Sequence, residues 1–390
     1  MSASEQSACA AKPIRVLHII ESTLGGTLRY LENIAAATDG SHLELGLAYG
    51  THRADSRLGP LLEKVETRGW RTYKVDMRRE IEPMRDFSAF LALHKIIRDF
   101  KPDIVHCHSS KGGALGRTAA ALQIKAPVRL YTPNALAAPL GDKYLKIEKF
   151  IGRYTDGFIA VSDSERSEIE SFGLDKHSFV DVVYPLIDSD FFAPSPRVEA
   201  RMSIGVENLP LVLGIGRITA QKDPESFVAI IKHLYALRPD IRALWLGSGE
   251  GESEFRRQIS EAGLVDVIRI VSWQHDVRSY IAAANVLLST SAFESFGYMV
   301  AEALSMAVPA VATDITGTCD IMRGDLRAWL YPARDHERAA TMLNKLLTNP
   351  AQADEMGRRG RAEIVRRFSV KKMSNALLEA YTQSLHRISA

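Results

Sequence analysis

The sequence predicts an α/β protein built from two doubly wound, Rossmann-like parallel sheets. Short apolar runs alternate with amphipathic helical segments along most of the 390 residues. Such alternation builds a parallel sheet with helices on both faces. The pattern is interrupted once, in the proline-bearing segment 180–196. Because a chain of this length usually forms two domains or more, the interruption marks a domain boundary.

The first domain is predicted to span residues 13–186. Its strands are expected at residues 14–20, 43–49, 71–75, 104–107, 128–132 and 157–161. Its helices include residues 28–37, 87–100 and 116–123. Gly25 and Gly26 lie in a turn at the carboxyl end of the first strand. Ligands of doubly wound sheets bind at such strand ends.

The second domain is predicted to span residues 187–368. Its strands are expected at residues 211–216, 243–247, 267–271, 286–289 and 310–312. A helix pair without a strand follows at residues 354–388, so that residues 369–390 form a terminal helix.

Composition excludes several classes of protein. The formal net charge is +2, which gives no general attraction to nucleic acid. Cys9, Cys107 and Cys319 are widely separated, which argues against a disulfide framework. The first twelve residues lack the apolar core of a secretory signal, and no apolar run approaches the ~18 residues that cross a bilayer. A cytoplasmic protein without a nucleic-acid partner is expected.

Two glutamates, Glu294 and Glu302, are separated by seven residues in a predicted strand–turn–helix unit. A diphosphate is favoured at the N-terminus of such a helix, where backbone N–H groups are free. The candidate ligand-binding residues of this turn are Ser295, Phe296, Gly297 and Tyr298. Carboxylates beside a diphosphate are favourable when they accept hydroxyl hydrogen bonds, so the ligand predicted is a sugar nucleotide. The alternative is an ordinary helix in which Glu294 is an acidic cap and Glu302 is an exposed surface residue.

Three other strand ends of the second domain carry candidate binding residues. Gly216 would let a ligand approach the backbone, and Arg217 and Lys222 offer cations for phosphate. The alternative is that Arg217 and Lys222 are ordinary cations of a solvated loop and bind no phosphate. Gly249 lies in a second glycine-bearing turn, which alone is weak evidence of a phosphate loop. Trp273 and Gln274 follow the strand predicted at residues 267–271, and Trp273 could anchor the domain surface there.

In the first domain, His106 and His108 end a predicted strand and face the same side of it. A zinc site would need further ligands, and none stands at usable spacing, so no metal is expected. His106 could be a structural histidine with both nitrogens bonded. Lys111 follows shortly after and could bind a phosphate of a second substrate.

The ordered set of these motifs resembles retaining glycosyltransferase family 4, whose members have the GT-B fold. The set comprises H-x-H at residues 106–108, G-R-x4-K at residues 216–222 and E-x7-E at residues 294–302. The segment 109–117 is similar to that of bacterial polysaccharide glycosyltransferases. This chain differs from its relatives in two segments. Residues 185–188 stand where relatives often have Asn-Gly-Ile-Asp, and residues 316–318 stand where they often have Gly-Gly. The second departure leaves the donor sugar open.

The resemblance implies that a cleft separates an acceptor-side first domain from a donor-binding second domain, with the terminal helix packed back on the first. It implies retaining transfer of a hexose from a UDP- or GDP-sugar to a saccharide, including a lipid-linked one, with no cofactor or metal. Catalytic roles fall on His108, Arg217, Lys222 and Glu294, with Glu302 on the ribose and Lys111 on the acceptor. In relatives the position of Trp273 and Gln274 frames the base, so the resemblance implies that one of these two side chains does so here. A sugar-nucleotide epimerase or hydrolase and a non-catalytic sugar-nucleotide-binding protein are the alternatives.

Positive charge is concentrated in residues 64–153, where 18 Lys and Arg stand against 9 Asp and Glu. Lys143, Lys146, Lys149 and Arg153 lie along one side of a predicted helix. A solvated face is one interpretation. The other is contact with an anionic membrane, which would place the protein on the inner face of the cytoplasmic membrane.

Overall fold

The computed structural model describes residues 12–38, 42–136 and 142–389. The expectations for Cys9 and for a leader in residues 1–11 therefore lie outside the described residues. Within the described ranges the chain divides into two compact units. The first takes in Met1–Val161, Arg166–Tyr184 and Met373–Ala390, and the second takes in Ser162–Glu165 and Pro185–Lys372.

The first unit contains a seven-stranded parallel sheet. Its strands are β1 (Ile14–Ile20), β2 (Leu43–Tyr49), β3 (Arg71–Lys74), β4 (Ile104–His108), β5 (Val128–Thr132), β6 (Gly157–Ala160) and β7 (Phe179–Val182). They are ordered β3-β2-β1-β4-β5-β6-β7. The helices between them are α1 (Gly25–Ala37), α2 (Leu58–Thr67), α3 (Pro83–Phe100), α4 (Ser110–Ala121), α5 (Asp142–Ile151) and α6 (Asp163–Ser171).

The second unit contains a six-stranded parallel sheet. Its strands are β8 (Leu211–Ile215), β9 (Arg242–Leu246), β10 (Ile268–Val271), β11 (Val286–Ser289), β12 (Ala310–Thr313) and β13 (Leu330–Tyr331), ordered β10-β9-β8-β11-β12-β13. The helices are α7 (Arg197–Ile204), α8 (Pro224–Leu237), α9 (Glu252–Glu261), α10 (Arg278–Ala283), α11 (Tyr298–Ser305), α12 (Thr318–Ile321), α13 (His336–Thr348) and α14 (Pro350–Arg367). The last helix, α15 (Val370–Ser389), belongs to the first unit from Met373 onward.

All eleven predicted strands are present, with ends within one residue of the prediction. Four of them, β4, β6, β8 and β12, are buried along their whole length, as expected for parallel strands covered on both faces. Strands β7 and β13 were not predicted. β7 is a half-buried edge strand of four residues that includes Asp181, and β13 has two residues, so neither carries a strong apolar pattern.

Three helices begin earlier than predicted. α1 begins at Gly25, so the glycine pair opens the helix and does not precede it. α3 begins at Pro83, a residue favoured in the first turn of a helix.

Helix α4 begins at Ser110 although glycines, which disfavour helix, fill its first half. Tight packing on the sheet explains them. A Cβ on Gly112 would lie 3.0 Å from the Glu21 backbone nitrogen, and one on Gly116 would lie 2.5 Å from Cys107 Sγ. Among the described residues, no helix is long and apolar enough to cross a bilayer.

Candidate functional site

In the second sheet, the chain order reverses between β8 and β11. β8 pairs with β11 on one side and with β9 on the other, while β12 and β13 extend the sheet beyond β11. Ligands of open α/β sheets bind outside the carboxyl ends of the strands at this switch point. The loops at these two ends are residues 216–223 and 290–297, which contain the predicted G-R-x4-K segment and the first glutamate of E-x7-E.

Hydrogen bonds join these two loops into one structure. Thr290 Oγ1 donates to the Lys222 carbonyl oxygen at 2.8 Å, and the Ala292 N–H donates to the Gln221 carbonyl oxygen at 2.8 Å. The Gln221 side-chain amide donates to the Phe293 carbonyl oxygen at 3.2 Å. The side chains that the loops carry are therefore held in a fixed relation before any ligand binds.

Lys222 and Glu294 form an ion pair with each other. The Lys222 ammonium donates to Glu294 Oε1, and Ser291 Oγ donates to the same oxygen at 2.8 Å. Both charged side chains are mostly buried, at 19% and 14% exposed. A lysine ammonium has three donors, so the pair leaves Lys222 able to bind a phosphate oxygen as well. Ser291, which the sequence did not single out, fixes the carboxylate.

Arg217 is exposed at the end of β8. Among the described residues, its guanidinium makes one hydrogen bond, a long one of 3.5 Å from Nη2 to Gln221 Oε1. The helix that follows starts as predicted, with Pro224 at its first residue and Asp223 Oδ1 accepting from the Ser226 N–H at 3.1 Å. A long, solvated guanidinium beside an anchored helix start is available for a bidentate contact with an anion.

The glycines of the neighbouring turn are explained by contacts between loops. A Cβ on Gly247 would lie 1.9 Å from the Gly216 carbonyl oxygen, and a Cβ on Gly249 would lie 2.4 Å from the Ile218 carbonyl oxygen. Trp245 Nε1 also donates to the Gly216 carbonyl oxygen at 3.0 Å. Glycine at position 249 is thus required by packing alone, and its approach to a nucleotide stays a prediction.

Trp273 and Gln274 lie beyond β10 and are exposed. The Trp273 side chain is 44% exposed, and its backbone N–H donates to Ser248 Oγ at 3.2 Å. Gln274 Nε2 donates to the Ser272 carbonyl oxygen at 3.3 Å. Both side chains are free to meet a ligand, and their contact with a base stays a prediction.

Helix α11 starts directly after the loop that carries Glu294. Gly297 precedes it with a φ of +90°, a left-handed conformation that glycine adopts readily. Phe296 is buried against Phe368, with ring centroids 5.2 Å apart. Gly317 packs closely against Phe296, and a Cβ on Gly317 would lie 2.7 Å from the Phe296 backbone nitrogen. The 316–318 segment, where the sequence departs from relatives, therefore braces the start of this helix.

Tyr298 opens α11, and its ring packs edge-on against that of Phe296, with centroids 5.1 Å apart. Ser295 in the same turn accepts a 2.9 Å hydrogen bond from Ser162 Oγ at its carbonyl oxygen. Glu302 is only 3% exposed, so the alternative of a surface glutamate at this position is wrong. Residues Ser295 to Tyr298 thus lie in the turn between β11 and α11, and Glu302 is buried within α11.

In the first sheet, the switch point lies between β1 and β4. Gly25 opens α1 there with a φ of +60°, and its N–H donates to Asp55 Oδ2 at 3.3 Å. A Cβ on Gly26 would meet nothing within 4 Å, so the space beside it is open.

Lys111, predicted to bind an acceptor phosphate, donates to both oxygens of Asp86 at 2.7 Å. This partner comes from α3 and was not predicted.

A cluster of three buried histidines lies beside this switch point. His18 on β1 joins His106 and His108 on β4, and one nitrogen from each lies within 4.8 Å of the others. The third histidine comes from β1, so the expectation that the His-x-His pair lacks a further ligand is wrong, and the expectation that no metal is bound stays a prediction.

The hydrogen bonds of His106 do not favour a metal at this cluster. Thr132 Oγ1 donates its proton to the Ile159 carbonyl oxygen, so it accepts from His106 Nε2 at 2.8 Å. His106 Nδ1 then accepts from the Tyr381 hydroxyl at 2.8 Å. Both nitrogens of His106 are therefore occupied, as a structural histidine requires.

The remaining pair, His18 and His108, has a defined proton arrangement. His18 Nδ1 and His108 Nε2 are 3.0 Å apart, and His18 Nε2 is buried without a partner among the described residues. Buried N–H groups without acceptors are rare, so the His18 proton sits on Nδ1 and is donated to His108 Nε2. His108, almost fully buried, then carries its own proton on Nδ1.

Burial keeps all three imidazoles neutral. It lowers the pKa of His18 to about 3. It also lowers the pKa values of His106 and His108 well below their usual range, and the neighbouring histidines add to the effect. A neutral ring with one N–H and one lone pair is the form that the hydrogen bonds require.

Comparison with known proteins identifies the family. Residues 24–191 match the family described as Glycosyltransferase Family 4, and residues 199–363 match Glycosyl transferases group 1. The chain belongs to glycosyltransferase family 4. The predicted family and its GT-B fold of two Rossmann-like sheets are thereby confirmed.

Relatives of this glycosyltransferase include one named for transfer to a diphosphoundecaprenol-linked sugar and one named for capsular polysaccharide biosynthesis. The chain is 24% identical to the UDP-Gal:alpha-D-GlcNAc-diphosphoundecaprenol alpha-1,3-galactosyltransferase of Escherichia coli, covering 83% of this chain and 86% of the relative. It is 23% identical to the capsular polysaccharide biosynthesis glycosyltransferase CapM of Staphylococcus aureus, covering 80% and 84%. The solved structure of Anabaena Alr3699/HepE with UDP and glucose has a TM-score of 0.80 at 18% identity, covering 95% of this chain and all of that chain.

Proposed function

We propose that this glycosyltransferase transfers a hexose, with retention of anomeric configuration, from a UDP- or GDP-sugar to a saccharide carried on a lipid diphosphate. The second unit binds the donor and the first binds the acceptor. The observation that carries the proposal is the joined pair of loops at the β8–β11 switch point. They hold Arg217, Lys222 and Glu294 beside the start of α11. Cations and a helix N-terminus suit a diphosphate, and the carboxylate suits sugar hydroxyls.

The reaction steps follow from these groups. Arg217, Lys222 and the α11 N-terminus stabilise the charge that develops on the leaving diphosphate as the bond to the anomeric carbon breaks. The oxygen of the acceptor hydroxyl bonds to the anomeric carbon on the face that the diphosphate leaves, and a diphosphate oxygen accepts the proton of that hydroxyl. Glu294 holds the sugar hydroxyls and Glu302 the ribose diol. His108 donates its Nδ1 proton in a hydrogen bond to a sugar or acceptor oxygen.

No metal is required by this mechanism, because two cations and a helix end already meet the diphosphate. The departure at residues 316–318 lies against α11 and leaves the choice of hexose open. Among relatives, the Escherichia coli enzyme named above acts on a diphosphoundecaprenol-linked sugar, which supports a lipid-linked acceptor here.

A donor panel tests the function. The protein is incubated with UDP-glucose, UDP-galactose, UDP-N-acetylglucosamine or GDP-mannose and a short-chain lipid diphosphate bearing N-acetylglucosamine. We expect the acceptor to gain one sugar by mass, with the donor's anomeric configuration. Free sugar or an epimerised donor as the main product would favour the epimerase or hydrolase alternative. Donor binding without turnover would favour the non-catalytic one.

We also propose that the first unit binds an anionic membrane surface. The exposed side of α3 carries Met84, Phe87 and Leu91, which are 84%, 60% and 50% exposed and share one helix face. Exposed cations lie on α3 at Arg85, Lys95 and Arg98, on α5 at Lys146 and Lys149, and just beyond α5 at Arg153. The side chain of Lys143 lies outside the described part. Apolar side chains flanked by cations are typical of helices that lie in a membrane interface.

Replacing Phe87 with serine should weaken binding to vesicles containing 30 mol% phosphatidylglycerol by about 10-fold or more, since a buried aromatic ring contributes about 1.5–3 kcal/mol. Vesicle co-sedimentation measures the effect. Met202→Ser, an equally apolar loss at a side chain that is 77% exposed in the second unit, is the matched control. Equal binding by the wild-type protein and by Phe87→Ser would contradict the proposal.

A further inference from the structure

Glu21 lies at the carboxyl end of β1, one residue beyond the strand and beside the first sheet's switch point. Its side chain is 2% exposed. Oε2 accepts from Arg53 Nη1 at 3.3 Å. Oε1 is buried and has no hydrogen-bond partner among the described residues.

A buried carboxylate oxygen without a donor is uncommon, because it has lost its water without gaining a protein partner. Burial raises the pKa of Glu21, and the positive charges of Arg53, Lys111 and Arg79 offset part of that rise. Arg53 is one-third exposed and can be solvated without the glutamate. The carboxylate is therefore not explained by a structural ion pair.

The backbone around Glu21 is held tightly. A Cβ on Gly50 would lie 2.7 Å from the Glu21 carbonyl oxygen, and a Cβ on Gly112 would lie 3.0 Å from its nitrogen. The Gly50 N–H also donates to the Ile20 carbonyl oxygen at 2.9 Å. The loop after β2 and the start of α4 thus fix residue 21 from two sides, and the carboxylate has a preset position.

The charges around the carboxylate select its ligand. A metal ion is disfavoured because Arg53, Arg79 and Lys111 contribute positive charge there. A phosphate is disfavoured at Oε1 because the carboxylate is itself negatively charged. The group that fits Oε1 is neutral and donates a hydrogen bond, which describes a hydroxyl.

We propose that Glu21 binds a hydroxyl of the saccharide acceptor through Oε1. The inference rests on the proposed function, which assigns the acceptor to the first unit. Glu21 is then a binding residue for the acceptor, separate from the groups of the second unit that meet the donor.

The test compares wild type with Glu21→Gln in two measurements. In the transfer assay at saturating donor, we expect the acceptor KM to rise about 10- to 100-fold, the range for loss of a hydrogen bond to a charged group. The donor KM should stay within about 2-fold, because the substitution leaves the second unit untouched. The thermal midpoint should be unchanged or higher, since removing a poorly paired buried charge relieves a cost. Glu63→Gln, an exposed glutamate on α2, is the matched control.

Calorimetric titration with the lipid-linked N-acetylglucosamine separates this inference from the proposed function. If the wild type binds the saccharide and Glu21→Gln loses it, the inference holds even where no transfer is detected. Unchanged acceptor affinity in Glu21→Gln overturns it. So does a lowered thermal midpoint with equal losses for donor and acceptor, which is the signature of a structural role. A wild-type protein that binds no saccharide overturns it as well.

Discussion

Arg217→Ala should lower kcat for sugar transfer by about 10²–10³-fold, the usual cost of removing one group that stabilises charge in a transition state. The effect falls on kcat because the guanidinium interacts most strongly with the leaving diphosphate as its charge grows. Stability should change by less than about 0.5 kcal/mol, since Arg217 is exposed and its closest side-chain contact is 3.5 Å long.

Steady-state kinetics and thermal unfolding of the purified variant check this result. Arg366→Ala is the control, because Arg366 is an exposed arginine of the same unit that pairs with Glu363 on the outer face of α14. Transfer at a near-parental rate by Arg217→Ala would remove the diphosphate role from this residue. An equal loss in the control would point to a general charge effect.

Acid should destabilise the protein steeply because of the three buried histidines. In the folded chain, burial lowers the pKa of His18 to about 3 and holds the pKa values of His106 and His108 well below their usual range. The unfolded chain binds a proton at each histidine near pH 6.5. As pH falls through 6.5, only the unfolded state gains protons, so stability present above that pH is lost toward pH 3.

Three protons correspond to a loss of about 4 kcal/mol in the free energy of unfolding between pH 8 and pH 5.5. Urea unfolding followed by circular dichroism at several pH values measures it. His18→Gln should reduce the slope of the free energy of unfolding against pH by about one third, because it removes one of the three protons. This holds whatever the substitution does to the free energy of unfolding at pH 8. His177→Ala, an exposed histidine of the same unit, should leave the slope unchanged. A free energy of unfolding independent of pH over this range would show that the cluster opens to protons in the folded state.

Local patterns predicted the strands of both sheets and therefore which residues stand at the strand ends. Apolar runs identify parallel strands well because such strands are buried on both faces. The short edge strands β7 and β13 escaped prediction because they lack that pattern. The glycines of α4 hid the start of that helix, since their contacts with Glu21 and Cys107 depend on the folded sheet.

The sequence could not predict which charged and polar side chains pair. Lys222 and Glu294 are 72 positions apart, and His18 and His108 are 90 positions apart. The Lys111–Asp86 ion pair joins two helices. Such partners are set by strand order and by how far each helix extends, which periodicity does not reveal. One feature of the sequence could have indicated that Ser291 contacts Glu294: Ser291 stands three residues before it in the same loop.

The backbone contacts of Gly247 and Gly249 restrict how this enzyme can be engineered for new donors. Any side chain at these two positions would collide with main-chain oxygen atoms of the loop that carries Arg217. Mutant libraries that randomise them would yield mostly inactive clones. Residues 272–276 are exposed, so, if the proposed contact of Trp273 or Gln274 with the base holds, diversity placed there should alter nucleotide preference while the loop that carries Arg217 keeps its shape.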